Sequence, residues 1–290
     1  MLASVKTLLS SIVDYAGLFP PAKLDLQAAM ANYAQYQASP YIWMLGRFVL
    51  PVSRLHEFEA LLTFPLKQRL SVILSKDLKL IEQVRRRSPP KASLKEKIGV
   101  TALEFPPLEP PAIEQIIPNL PAKVEAFFEI PFSNDLDPYL DVLRQGGASA
   151  KIRTGGTTAD AFPSMYQLSQ CIFAFAKAQV PFKATAGLHH PLPGEYPLTG
   201  EPNSLTNGMH GFLNVAILAA FAYWQKVTSQ EALEILSSSD GFQFQADGIW
   251  WRDRYLNIAE IEETRQRFFR SFGSCSFEEP INDLKELKLL

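Results

Sequence analysis

Short apolar runs alternate with amphipathic helical stretches from one end of this 290-residue chain to the other. A strand, a helix and another strand in succession give a parallel sheet with crossover connections. Strand candidates are Ile12 to Leu18, Gly46 to Leu50, Arg69 to Leu74, Val100 to Phe105, Val124 to Ile130, Ala148 to Arg153 and Phe182 to Ala186, with Phe242 to Gln245 as the eighth. No Gly-x-Gly-x-x-Gly follows the first strand. The pattern therefore predicts an α/β fold, a single closed (β/α)8 TIM barrel, in preference to an open nucleotide-binding sheet. One domain is expected over residues 1–290, with 241–290 forming a hairpin, helix and tail extension. Phe242 to Trp251 reads as a β-hairpin turning at Asp247-Gly248. A helix should follow from about Ile258 to Phe269, acidic at its start and basic at its end.

Composition narrows the class. The chain is 47% hydrophobic and 20% charged, with formal net charge −2, as in a soluble globular protein with a large core. Nearly balanced charge argues against nucleic acid or an anionic membrane as partner. Arg85-Arg86-Arg87 reads as a solvated loop. Cys171 and Cys275 are too few for a disulfide framework, and no C-x-x-C zinc pattern exists. Cys171 falls in a helical pattern with Met165, Leu168, Ile172 and Phe175, and is expected in the core. The most apolar segment, Phe212 to Trp224, is too short to span a bilayer and carries Asn214. Asp14 interrupts the N-terminal apolar run and no convincing cleavage site follows. No signal peptide is expected, and a cytoplasmic location is the default. Trp250 and Trp251 are expected as packing or homo-oligomer contacts.

Two lysines carry the chemical signal. They stand in Ala150-Lys151-Ile152-Arg153-Thr154-Gly155-Gly156 and Phe182-Lys183-Ala184-Thr185-Ala186-Gly187, 32 residues apart, about one strand-helix-strand unit. Alternation puts Ser149, Lys151 and Arg153 on one face of the sixth strand, Lys183 with Thr185 on the seventh, and Glu125 with Glu129 on the fifth. These polar faces should point into the barrel, at strand ends where such barrels place active sites. Inward lysines on adjacent strands would be neighbours across roughly 5 Å. They would lower each other's pKa, leaving one neutral as a nucleophile while the other stays charged.

Several of these runs resemble those of the deoxyribose-phosphate aldolases. Ile12-Val13-Asp14-Tyr15-Ala16-Gly17-Leu18-Phe19-Pro20 looks like their opening strand, Phe48-Val49-Leu50-Pro51-Val52-Ser53 their second, and Glu125-Ala126-Phe127-Phe128-Glu129 their fifth. Lys151-Ile-Arg-Thr-Gly-Gly is similar to their Lys-Thr-Ser-Thr-Gly, and Lys183-Ala-Thr-Ala-Gly to their Lys-Ala-Ser-Gly-Gly. The matches fall in order over roughly the first 190 residues. The resemblance implies that Lys151 forms a Schiff base with a carbonyl substrate and that Lys183 is its electrostatic partner. The family's fourth-strand aspartate has no counterpart: Val100-Thr-Ala-Leu-Glu-Phe offers only Glu104, about two positions further on. The family's phosphate-binding turn at the eighth strand is not recognisable either. A divergent relative with another substrate is the expectation.

The favoured function is thus a lyase or aldolase-like enzyme acting on a small carbonyl compound. Glu129, Asp14 or a histidine such as His189 would shuttle protons. Arg153 with the Thr154-Gly155-Gly156 turn would hold an anionic group, or Arg153 would only cap a strand end; Arg47 is placed alike. Gly187, His190 and His210 complete the candidate substrate contacts. No organic cofactor and no metal is implied. Two other readings stay open. His189, His190 or His210 with a carboxylate would suit a metal-dependent hydrolase or lyase, although no H-x-H or H-E-x-x-H spacing supports it. Lys151 and Lys183 would otherwise form structural ion pairs with Glu129 and Glu104. Ser274-Cys275-Ser276 reads as structural, because no base stands beside it in sequence.

Overall fold

The computed structural model describes residues 1–62, 68–75, 98–132, 135–199 and 203–290. The Arg85-Arg86-Arg87 stretch lies outside them. Eight parallel strands close a barrel: β1 (Val13–Tyr15), β2 (Leu45–Pro51), β3 (Gln68–Ile73), β4 (Ile98–Phe105), β5 (Glu125–Glu129), β6 (Ser149–Arg153), β7 (Phe182–Thr185) and, last in the chain, β13 (Phe269–Ser274). Beyond β7 come an antiparallel ribbon, β8 (Gly194–Pro197) and β9 (Thr206–Met209), and a three-stranded sheet, β10 (Phe242–Phe244), β11 (Gly248–Trp251) and β12 (Arg254–Asn257). β13 inserts between β7 and β1, and β1 pairs onward with β2, so no barrel edge is left open.

The eighth strand is therefore a correction. Phe242 to Gln245, expected in the barrel, lies in the outer sheet, and the closing strand comes from within the expected extension. The reason is burial. Phe-Gln-Phe-Gln alternation marks a ribbon with one wet face, and β10 is at most half-buried. Barrel strands are covered on both faces, and β13, Phe-Arg-Ser-Phe-Gly-Ser, is buried at all positions but Arg270. It has no β-branched residue to announce it. The helix expected to reach Phe269 ends at Arg267 to release this strand.

Among the described residues the surrounding helices are α1 (Ala3–Leu9), α2 (Leu26–Gln37), α3 (Leu55–Leu61), α4 (Pro110–Ile116), α5 (Asp137–Gly146), α6 (Met165–Ala178), α7 (Phe212–Tyr223), α8 (Ser229–Ser237), α9 (Ile258–Arg267) and α10 (Glu278–Glu286). Capping boxes start three of them: Ser164 with Gln167 for α6, Thr228 with Glu231 for α8, and Asn257 with Glu260 for α9. α7 is apolar all round and is buried accordingly against α6, α8, α9 and β13. Its buried polar group, the Asn214 amide, donates to the carbonyls of Ile235 and Ser238 and ties α7 to the end of α8. No described helix is long and apolar enough to cross a membrane.

The apolar core lies between barrel and helices, not inside the barrel. Phe182 on β7 meets Phe175 of α6, Phe268 and Phe269 at centroid distances of 5.4, 5.1 and 5.0 Å. Trp251 is buried and faces Phe221 of α7, while Trp250 stacks on Tyr255 at 4.5 Å, so both tryptophans pack within the chain.

One buried cation holds the closing strand. The Arg265 guanidinium donates to the carbonyls of Ser10 (3.2 Å), Arg270 (2.8 Å) and Phe269, joining the end of α1 to the start of β13. Burial, and then the neighbouring Arg270, push its pKa down to about 9. Arg265→Met keeps the apolar stem but leaves these carbonyls without donors. We expect it to lower unfolding stability by about 2 kcal/mol in urea denaturation.

Candidate active site

The barrel interior is charged where branched aliphatic residues would ordinarily fill it. At the N-terminal end of the strands Arg47 of β2 and Arg270 of β13 both pair with Glu125, and Arg47 Nε donates to Thr101 Oγ1 at 3.1 Å. Above this layer sits Lys183. Its ammonium donates to Asp14 Oδ2 at 2.6 Å and to Glu104 Oε1 at 2.7 Å. Ser271 Oγ (2.7 Å) and the Arg47 backbone N–H (2.8 Å) complete the Asp14 carboxylate, and Ser71 Oγ (2.7 Å) supports Glu104. Gly46 makes room for this arrangement, because a Cβ there would overlap Asp14 Oδ1.

From this core an alternating chain of charge runs outward. Lys151 Nζ lies 3.6 Å from Glu104 Oε2 and 3.1 Å from Glu129 Oε2, and Arg153 Nε donates to Glu129 Oε1 at 3.3 Å. Side-chain exposure rises along it: Asp14 1%, Lys183 1%, Glu104 2%, Lys151 4%, Glu129 12% and Arg153 51%. The chain thus begins in the core and ends at the barrel mouth.

Electrostatics follow from that geometry. Burial alone would raise the Asp14 and Glu104 carboxyls, yet Lys183 brings each down to about 2, with help from Arg47 and Lys151 respectively. Burial works against charge on Lys183 as well, but Asp14 and Glu104 outweigh it and raise its pKa. The expected direct contact of the two amines is therefore a correction. Lys151 and Lys183 are register partners on β6 and β7, but Glu104 stands between their ammonium groups as a bridge.

A cavity of about 400 Å³ opens over the C-terminal ends of the strands. Of the residues singled out in the sequence, Lys151, Lys183, Glu129, His189, Arg153, Gly156 and Gly187 line it. Its opposite wall is apolar, built from Phe19, Pro20, Pro21 and Pro106 among others. The turn after β7 is tight: Ala186 (φ +61°) and Gly187 (φ +72°) both adopt left-handed backbone, and Thr154 Oγ1 donates to the Ala186 carbonyl.

The remaining candidates lie elsewhere. Asp14 is buried beneath Lys183 and does not line the cavity. Arg47 is spent on the basal ion pairs. Thr154 is fully buried, latched to the Ala186 carbonyl, and Gly155 packs on Gly187, where a Cβ would come within 2.6 Å of the Gly187 Cα. Of the two adjacent histidines only His189 lines the cavity, although their rings lie 6.5 Å apart and both approach Glu279. His190 turns outward, with Nδ1 2.7 Å from Asp283 Oδ2 and its ring stacked on Tyr196 at 3.6 Å. His210 precedes α7, with Nε2 2.8 Å from the Pro163 carbonyl oxygen, and burial lowers its pKa. Among the described residues no group of three or more His, Cys, Asp or Glu side chains converges as a metal site.

Two residues of the cavity were only partly legible in the sequence. Glu104 stood out there as a displaced match and as an ion-pair partner for the lysines, with no place in the cavity assigned to it. Cys275 also lines the cavity, and a base does stand beside it: His189 Nδ1 lies 4.0 Å from its Sγ, brought there across 86 residues.

The buried pairs set a pH dependence. Asp14 and Glu104 have folded pKa values of about 2 against ordinary values of 3.8 and 4.5. Their contribution is complete above the ordinary values and is lost as pH falls towards 2. The raised Lys183 contributes fully below its ordinary 10.5 and loses its share only as pH climbs above that. We expect Lys183→Met, which strands two buried carboxylates, to cost about 3–5 kcal/mol at neutral pH. The penalty should shrink at about pH 3, where the stranded carboxylates take up protons. Urea denaturation at the two pH values measures both, and an equal penalty at each would contradict the assignment. Compared with known proteins, the chain matches no family model and no curated protein, so its chemistry is read from this geometry.

Proposed function

We propose that the chain is a lyase of aldolase type, acting on a small carbonyl compound through a Schiff base at Lys151. The observation that carries this reading is the pair of strand lysines at one register, both lining a cavity at the C-terminal ends of the barrel strands. Glu129, 3.1 Å from Lys151, accepts the proton that the amine must shed before attack. Lys183 serves as a fixed ammonium. It cannot release its proton without leaving Asp14 and Glu104 buried and unpaired, and it opposes further positive charge in its surroundings. Once the iminium forms, a base takes the proton of the β-hydroxyl, the bond between the α- and β-carbons breaks, its electron pair forms the enamine and the β-carbon leaves as a carbonyl compound; the same steps in reverse join two fragments. Arg153, with terminal nitrogens unpartnered among the described residues, and the backbone at Gly156 suit an anionic end of the substrate. The proline-rich wall suits an apolar one. A divergent relationship to the deoxyribose-phosphate aldolases fits the order of the sequence matches and the separate roles of Lys151 and Lys183.

A second reading has its own support. Both strand lysines are engaged by carboxylates, as a barrel stabilised by internal ion pairs requires. The metal-dependent reading has no converging ligand set among the described residues to carry it.

Reductive trapping separates the first two. The protein is incubated with propanal or pyruvate and cyanoborohydride, and the adducts are mapped by peptide mass spectrometry. We expect labelling of the folded protein at Lys151, abolished in Lys151→Ala. Labelling no faster than in denatured protein, or unchanged in Lys151→Ala, would leave the structural reading standing.

A further inference from the structure

We propose that His189, held in place by Glu279 of the C-terminal helix, is the acid that protonates the substrate carbonyl oxygen when Lys151 attacks. This role rests on the Schiff-base reading and supplies the acid that it lacks. Glu279 becomes a positioning residue, although no motif in the sequence singles it out.

The geometry is that of an oriented imidazole. His189 follows the β7 turn and stands in the cavity wall with its side chain 14% exposed. Its Nδ1 is 3.2 Å from Glu279 Oε2 and 4.0 Å from Cys275 Sγ. Nε2 has no partner among the described residues. One nitrogen is thus tied back to α10, which leaves the other as the donor free to meet a ligand. The next histidine repeats the contact one helical turn on: His190 Nδ1 binds Asp283, and its Nε2 lies 3.9 Å from Glu279 Oε1. The two adjacent histidines therefore reach the same helix and grip carboxylates four residues apart on it. The helix is fixed in turn by buried Pro280, Ile281 and Leu284.

Elimination among the cavity groups points the same way. Lys183 spends its ammonium on Asp14 and Glu104. Arg153 is too weak an acid to give up a proton. Glu129 is the acceptor beside Lys151. Thr157 and Thr185 have hydroxyls far too weakly acidic to serve as donors. His189 and the Cys275 thiol are left with a proton to transfer, and of the two His189 is the one oriented by a carboxylate. The groups facing it are Glu279 from α10 and Cys275 from the end of β13; burial disfavours its charge, but these two outweigh burial and raise its pKa to about 9.

The step balances. The Lys151 amine, whose ammonium proton Glu129 has taken and passed on to solvent, forms the C–N bond while the π pair of the C=O bond takes a proton from His189 Nε2. The nitrogen, now positive, passes a proton to Glu129. Glu129 returns it to the new hydroxyl, which leaves as water while the nitrogen lone pair completes C=N⁺. His189 regains its proton from solvent.

The test uses 2,4-pentanedione, which condenses with a neutral lysine amine to an ultraviolet-absorbing enaminone without any reductant. Initial rates are followed from about pH 6 to 10 for the wild type, Glu279→Gln, His189→Asn and Lys151→Ala, with the labelled lysine mapped by mass spectrometry. The wild-type rate should fall on the alkaline side near the His189 pKa of about 9. In Glu279→Gln that fall should move to lower pH by one unit or more, as the imidazolium loses its carboxylate. His189→Asn should slow the reaction about a hundredfold. If His189→Asn does not fold, the Glu279→Gln profile decides alone. An unshifted Glu279→Gln profile with Lys151 still labelled overturns the role of His189 and spares the nucleophile. Absence of Lys151 labelling in the wild type overturns the Schiff-base reading, and the role of His189 with it.

Discussion

A lysine ammonium at the centre of a barrel, 1% exposed, is the constraint around which this molecule is organised. Removing one charge from water costs several kcal/mol even after relaxation, so it must be matched at contact distance and each of its partners satisfied in turn. Lys183 meets that demand with two carboxylates from opposite parts of the wall, Asp14 on β1 and Glu104 on β4. Each carboxylate then needs donors of its own, and Ser271, Ser71 and the Arg47 backbone amide supply them. One buried charge therefore sets the identity of residues on β1, β2, β3, β4 and β13. It also explains why the strand facing Asp14 carries Gly46, where any side chain would displace the carboxylate.

The same constraint explains which features could be read along the chain. Alternation alone placed Lys151, Arg153, Lys183 and Glu129 on inward faces, because a strand's two sides are a local property. Those residues around the cavity, and the barrel itself, followed from that rule and from the strand–helix repeat. Of the partners of Lys183, Glu104, 79 residues away, was among the acids named for the two lysines, whereas Asp14, 169 residues away, was not. Only the order in which strands close the ring brings them together. The eighth strand was missed for a related reason. Doubly covered strands need no alternation, and Ser271 in β13 is a polar residue used to support the Asp14 carboxylate. Phe-Gln-Phe-Gln, by contrast, advertised a strand that the barrel does not use. Misplacing that strand also hid Cys275 at its end and the helix that brings Glu279 to His189.

The alternating chain from Asp14 to Arg153 also decides which amine is free to act. Taking the proton from Lys183 would leave the Arg47 guanidinium, 3.8 Å away, as the nearest cation to Asp14, and Lys151, at 3.6 Å, as the nearest to Glu104. Both carboxylates would stay in the core. Taking it from Lys151 is a different matter. Glu104 keeps its shorter contact with Lys183 at 2.7 Å, and Glu129 keeps Arg153 at 3.3 Å, near enough to the mouth for water to help. Of the two lysines, Lys151 is the one whose carboxylate neighbours keep close ion-pair contacts without it. An alternating row of charges with a rising exposure gradient thus holds its inner members fixed and makes a middle one dispensable. That is the property a nucleophilic lysine needs, and it follows from where the carboxylates stand more than from repulsion between the two amines.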